Sequence, residues 1–163
     1  MQLIEDGSSY PNEYTWDYRQ EKFRRFEGVA LGDHTQASHP QKEALLREME
    51  QTFCAGAWIA TIFLAWSIID IQLSYIGYPR KGTNRADALS KYINFDALEE
   101  LRIFRNAVLH RSPEQTPVVD EWEMIFASEA IREKAILAVS LALRVAFICT
   151  KYPELDKARE PSD

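Results

Sequence analysis

A run of 17 residues without a charged side chain, residues 53–69, limits what this chain can fold into more than any other feature. Such a run suits a helix that is buried on several sides, and it lies at the lower edge of the length that crosses a membrane. Trp58 and Trp66 lie within the run instead of flanking it, and no basic cluster marks either end. The run therefore predicts the central helix of a soluble bundle, with a small membrane protein as the alternative.

The rest of the chain also favours helices. No segment alternates polar and apolar residues with the period of two that is typical of strands. A helix start at Pro40 predicts one long helix to about Ile76. Asp96 is predicted to cap a second helix, and Ser128 to cap a final helix that ends near Tyr152. We expect an all-α fold, a bundle of three to four main helices.

Length and composition indicate one domain with appendages. A chain of 163 residues, 46% of them hydrophobic, can form a single core. Residues 1–38 lack a steady period and are interpreted as an N-terminal arm with one short helix around residues 17–26. Its aromatic side chains need apolar surface, so we expect the arm to pack on the body or on a partner. Residues 39–152 form the predicted bundle, and residues 153–163 a polar tail.

The charge balance restricts the class of partner. The chain has 25 acidic and 19 basic residues, a formal net charge of −6. This balance does not suit a protein that coats nucleic acid through a wide basic face, although it allows a local basic site. The arm does combine aromatic rings with basic residues, a pattern that packing or nucleic-acid binding would explain.

The cysteines and the N-terminus indicate the compartment. Cys54 and Cys149 each lie in an apolar stretch, which favours buried free thiols in a reducing compartment over a disulfide. The cysteines and histidines lack zinc-ligand spacing, so we expect neither a metal nor another cofactor. The first residues lack the basic region and apolar run of a signal peptide. We therefore expect a cytoplasmic protein.

Residues 98–111 concentrate polar groups on one predicted helix. Arg102, Asn106 and His110 are spaced four residues apart and form a single stripe. Arg105 lies at the edge of the apolar stripe, where its guanidinium would be partly desolvated and would need a partner or a ligand. The apolar stripe itself is predicted to face the core and consists of Leu98, Leu101, Phe104 and Val108.

These polar groups suit the cleavage of a phosphodiester. An arginine can hold a phosphate through two parallel hydrogen bonds and offset the charge that grows on its oxygens. A histidine can take or give a proton near neutral pH, and an asparagine can orient either group. The alternative is a solvated polar stripe with a histidine near the C-terminus of the helix, where the dipole favours it.

Arg105-Asn106-x-x-x-His110 resembles the R-x4-6-H signature of HEPN domains, which are all-α domains of ribonucleases and of bacterial toxin and abortive-infection systems. The resemblance extends over residues 40–152. It implies a homodimer in which the motifs of two subunits meet and cleave RNA without a metal, the 2′-hydroxyl attacking the adjacent phosphate. By this resemblance Arg105 would stabilise the transition state, His110 would transfer the proton, and Asn106 would orient them.

Three further residues are candidates for supporting this site. Arg102 and Arg111 are expected to line the cleft and contact the substrate. Many members of the family carry an acidic residue on the preceding long helix, so Asp70 is the candidate partner for Arg105. At the end of an apolar run, Asp70 could equally cap the helix or face water.

The sequence thus predicts a metal-independent endoribonuclease of the HEPN type, acting in a toxin, abortive-infection or defence setting. Its expected partners are a second copy of the chain and an RNA substrate, with an antitoxin or a nucleotide ligand as further candidates and no membrane. The alternative function is a non-catalytic HEPN-like helical module that binds a nucleotide or a protein partner.

Overall fold

The computed structural model describes residues 11–32, 40–76, 89–109 and 121–152. These residues are helical or lie in turns and short connections, and no β-strand occurs among them, so the predicted all-α class is confirmed. The predicted tail, residues 153–163, lies outside the described residues. The helices with defined bounds are α1 Glu13–Leu31, α2 Pro40–Ala55, α3 Trp58–Ile76, α4 Phe95–Leu109, α5 Glu121–Ala146 and α6 Ile148–Lys151.

Four of these helices surround the core. Helix α1 packs against α2, α2 against α3, α3 against α5, and α5 against α1, with the most extensive packing between α3 and α5. The centre is filled by side chains that are almost completely buried, among them Met49, Phe53, Ile69, Leu143 and Phe147. Helix α4 packs against α3 and α5 less extensively than these four pack together, and it carries Arg105.

The prediction of one helix from Pro40 to Ile76 is wrong, because the chain turns at Gly56. Gly56 has φ +76°, its backbone N–H bonds to the carbonyl of Phe53, and the N–H of Ala57 bonds to the carbonyl of Thr52. This pair of hydrogen bonds is the Schellman arrangement that ends helices at a left-handed glycine. The uncharged run is therefore divided, and α2 and α3 fold back on one another as a helical hairpin.

Arg19 of α1 contacts both helices of this hairpin. Its guanidinium donates a hydrogen bond of 3.1 Å to the carbonyl of Cys54, in the last turn of α2, and lies 4.7 Å from the ring centroid of Trp58, at the start of α3. The carbonyls of a last helical turn have no partner within the helix, so a buried cation suits this place. The predicted arm thus packs on the body, and its helix is longer than expected.

Two further helix starts differ from prediction. Helix α4 is capped by Asn94, whose side-chain oxygen accepts a 3.1 Å hydrogen bond from the N–H of Ala97, so Asp96 lies inside the first turn. Helix α5 begins at Glu121 and contains Ser128. Serine has an intermediate helix propensity, so the interior of a long helix can contain it. The predicted final helix is also interrupted at Phe147, before α6.

Helix α3 is long and apolar enough to cross a membrane by length and composition, a property that it shares with core helices of soluble bundles. Its buried residues include Thr61 and Gln72. The hydroxyl of Thr61 hydrogen-bonds to Thr52, and the amide of Gln72 donates to the sulfur of Cys149. These polar groups of α3 are therefore satisfied by α2 and α6, within the bundle.

Cys54 should give the protein a measurable loss of stability at high pH. Neither of the two described cysteines forms a disulfide, and burial raises the pKa of the Cys54 thiol from 9.0 to about 11. The folded chain holds this proton more tightly, so the stabilising effect is complete below about pH 9 and is lost as the pH rises to about 11. We expect a loss on the order of 1–2 kcal/mol once solvent screening is allowed for.

The measurement is urea denaturation of the wild type and Cys54→Ala from pH 8 to 11. Groups other than Cys54 titrate in both proteins and cancel in the comparison. The difference in unfolding free energy between the two should shrink with rising pH. A difference that stays constant over this range would show that the thiol is not protected by burial.

Candidate active site

Helix α4 is held on the bundle by apolar side chains and one ion pair. Leu98 and Leu101 are buried in the core, and Phe104 packs against it, so these three members of the predicted apolar stripe are confirmed. The side chain of Val108 lies outside the described residues. An ion pair between Glu100 of α4 and Lys134 of α5 adds a polar tie. These contacts fix which face of α4 points outward.

Arg105 lies at the edge of the packed face, half-buried as its place on the helix predicts. Its guanidinium carbon is 5.5 Å from the ring centroid of Trp66 on α3, within the range of a cation–π interaction. Among the described residues, no carboxylate or carbonyl pairs with this guanidinium. In the part of the chain that the structure describes, nothing therefore occupies the N–H donors of this partly desolvated cation.

The other half-buried or ion-paired arginines of the described chain differ from Arg105. Arg19 donates to a backbone carbonyl, as described above. Four more pair with a glutamate about one turn away on the same helix, namely Arg25 with Glu21, Arg47 with Glu43, Arg102 with Glu99 and Arg132 with Glu129. Arg105 thus differs from them in two respects: it is partly buried against a ring, and its guanidinium has no hydrogen-bond acceptor among the described residues.

Arg102, expected on the cleft wall, is exposed and bound to Glu99. Its Nε donates to one carboxylate oxygen at 2.8 Å and its Nη2 to the other at 2.6 Å. This hydrogen bonding lowers the pKa of Glu99 and raises the pKa of Arg102. Both groups therefore stay ionised at neutral pH, and a phosphate would have to compete with Glu99 for the guanidinium. The contact of Arg102 with a substrate stays a prediction.

The remaining candidates are described only in part. Asn106 is half-buried and follows Arg105 on α4. His110 and Arg111 lie outside the described residues, and His110 comes directly after Leu109, where the described helix ends. Asp70 is exposed and lies one helical turn beyond Trp66 on α3. Its pairing with Arg105 therefore stays a prediction, although the contact with Trp66 brings Arg105 to the same helix.

Trp66 is the site residue that sequence reasoning missed. It lies in the uncharged run, where a tryptophan is most simply explained as a core residue, and it is indeed packed partly against the core. The sequence did place Trp66 four residues before Asp70, the predicted partner of Arg105, and residues four apart share a helix face. What identifies its role is the packing of α4 on α3.

Comparisons with family models, curated protein sequences and solved structures found no match to this chain. The chemistry of the site must therefore be inferred from its own side chains. The described part of the site offers a half-buried arginine against a tryptophan ring and a neighbouring amide, and a histidine follows four residues after that amide in the sequence.

Proposed function

We propose that this protein is a metal-independent endoribonuclease of the HEPN type, in which Arg105 binds the scissile phosphate and His110 transfers the proton. The state of Arg105 is the observation that carries the proposal. Its guanidinium is half-buried against Trp66, and no described carboxylate or carbonyl takes up its N–H donors. A partly desolvated cation is stabilised by an anionic ligand, and the guanidinium fork matches two phosphate oxygens.

The reaction that suits these groups is transesterification within RNA. The 2′-oxygen attacks the neighbouring phosphorus while the bond to the 5′-oxygen breaks, which leaves a 2′,3′-cyclic phosphate and a 5′-hydroxyl. Negative charge grows on the phosphate oxygens, where Arg105 can offset it. His110 of one copy can take the 2′-proton and that of a second copy can protonate the leaving oxygen. Asn106 can orient these groups through its amide.

Exposed apolar side chains support the homodimer that this mechanism needs. Ile71 and Tyr75 on α3 are 39% and 52% exposed, and Ile103 on α4 is 56% exposed. They lie on the two helices that carry Trp66 and Arg105. A second copy packed over these side chains would cover exposed apolar surface.

The acidic balance of the chain is compatible with this proposal. A formal net charge of −6 disfavours RNA over most of the surface and so favours binding at a local cationic site. A role in a toxin, abortive-infection or other defence system, in the cytoplasm, would follow from membership of the HEPN family.

Cleavage of total cellular RNA in EDTA is the test. Wild-type protein should degrade RNA without added metal, and His110→Ala should be slower by about 10²–10⁴-fold, because general acid–base catalysis contributes that much. His39→Ala is the matched control, a histidine outside the motif, and should cleave at the wild-type rate. Equal rates for wild type and His110→Ala would contradict the proposal. A folded, dimeric wild type that cleaves nothing would favour the non-catalytic binding module.

A further inference from the structure

We propose that Trp66 is a positioning residue, whose indole ring holds the Arg105 guanidinium in place for the phosphate. The inference rests on the proposed ribonuclease function and adds a residue to it. The ring centroid of Trp66 lies 5.5 Å from the guanidinium carbon of Arg105, and this is the contact that the described residues supply to that cation.

An aromatic ring can restrain a cation that must also bind a phosphate. It attracts the guanidinium through its quadrupole and leaves the N–H groups available. A carboxylate in the same place would occupy two N–H groups in bidentate fashion, as Glu99 does with Arg102. Trp66 can thus restrain Arg105 without competing with the substrate for its hydrogen bonds.

A second arginine–tryptophan pair among the described residues shows what a purely structural contact looks like. Arg19 lies 4.7 Å from the Trp58 centroid, is buried, and also donates a hydrogen bond to the carbonyl of Cys54. Arg105 has the same kind of ring contact at the edge of the bundle, without an acceptor among the described residues. The difference between the two pairs is that no acceptor among the described residues binds the N–H groups of Arg105.

Trp66 lies on a well-packed helix, so its ring holds a fixed position next to α4. Helix α3 packs against α2, α4 and α5, and the residue before Trp66, Ala65, is completely buried. Helix α4 has less extensive packing of its own. A ring anchored in the core helix restrains the position of Arg105. This restraint matters for the rate, because small displacements of a catalytic group cost large factors in rate.

The test compares Trp66→Leu with Trp66→Phe, which keeps an aromatic ring. NMR of the Arg105 Nε–H group, assigned with Arg105→Lys, should show an upfield ring-current shift in the wild type. This shift should be lost in Trp66→Leu and partly kept in Trp66→Phe. The kcat for RNA cleavage should fall about tenfold in Trp66→Leu, with little change in KM, and Trp66→Phe should recover most of it.

Phe63→Leu is the control, because Phe63 is a half-buried aromatic residue on the same helix. It should change neither the NMR shift nor kcat. An unshifted Arg105 signal in the wild type, or wild-type kcat in Trp66→Leu, would overturn the inference. A wild type that cleaves no RNA would overturn the proposed function and the positioning role with it, while the NMR result would still report on the ring contact.

Discussion

Replacing Arg105 by alanine should slow metal-free RNA cleavage by about 10³-fold, because the charge that develops on the phosphate would lose its principal donor. Arg105→Lys should retain part of the rate, since it keeps the charge and loses the planar fork. Thermal unfolding of Arg105→Ala should stay close to that of the wild type, because the residue is half-buried and its described contact is one ring.

Arg47→Ala is the matched control for Arg105→Ala. Arg47 lies on α2, its side chain is 75% exposed, and it pairs with Glu43 at 3.5 Å. Such a surface pair contributes about 0.5 kcal/mol or less, so its removal should leave folding and cleavage nearly unchanged. Full cleavage by Arg105→Ala, measured as initial rates on one defined RNA, would contradict the role of Arg105.

Gly56→Ala should lower the free energy of unfolding by about 2–4 kcal/mol, the largest effect on stability that we predict from a single added methyl group. The left-handed φ of +76° is strained for alanine. The new Cβ would also lie 2.6 Å from Nη1 of Arg19, so the guanidinium would have to leave its place. Its hydrogen bond to the Cys54 carbonyl and its contact with Trp58 would then be weakened.

Gly32→Ala separates backbone strain from the contact with Arg19. Gly32 also has a positive φ, +61°, and an added Cβ there would meet no atom within 4 Å. Its ψ of −139° places Gly32 in a region that is essentially restricted to glycine, so urea denaturation should show a loss of about 1–3 kcal/mol from strain alone. In an Arg19→Ala background Gly56→Ala should cost less than in the wild type, and an equal cost in both backgrounds would mean that Arg19 does not restrict the turn.

The helical class follows from the sequence, whereas the break at Gly56 does not. An apolar run without alternation favours a buried helix, and α3 begins within that run and ends beyond it. A single glycine in an apolar helix is tolerated at a cost of about 1 kcal/mol, so Gly56 did not predict a turn. The turn is stabilised by Arg19, which belongs to another helix and is far away in the sequence. Such tertiary contacts have no local signature.

For the candidate site too, helix periodicity predicted where side chains lie on one helix, but not the contacts between helices. The rotation of 100° per residue places Arg105 at the edge of the apolar stripe, and its partial burial is confirmed. Helical spacing also separates the exposed Arg102 from the buried Leu101. The contact with Trp66 depends on how α4 packs against α3, which periodicity does not determine. The ion pair between Glu99 and Arg102 could have been predicted, because residues three apart are neighbours on a helix surface.

The ends of the cleaved RNA test the central claim most directly. A defined RNA oligonucleotide would be incubated with wild type, Arg105→Ala and His110→Ala in EDTA, beside the same oligonucleotide with every 2′-hydroxyl methylated. We expect 2′,3′-cyclic phosphate and 5′-hydroxyl ends with the wild type alone, and no cleavage of the methylated strand. Products with 5′-phosphate ends, or cleavage of the methylated strand, would contradict the central claim.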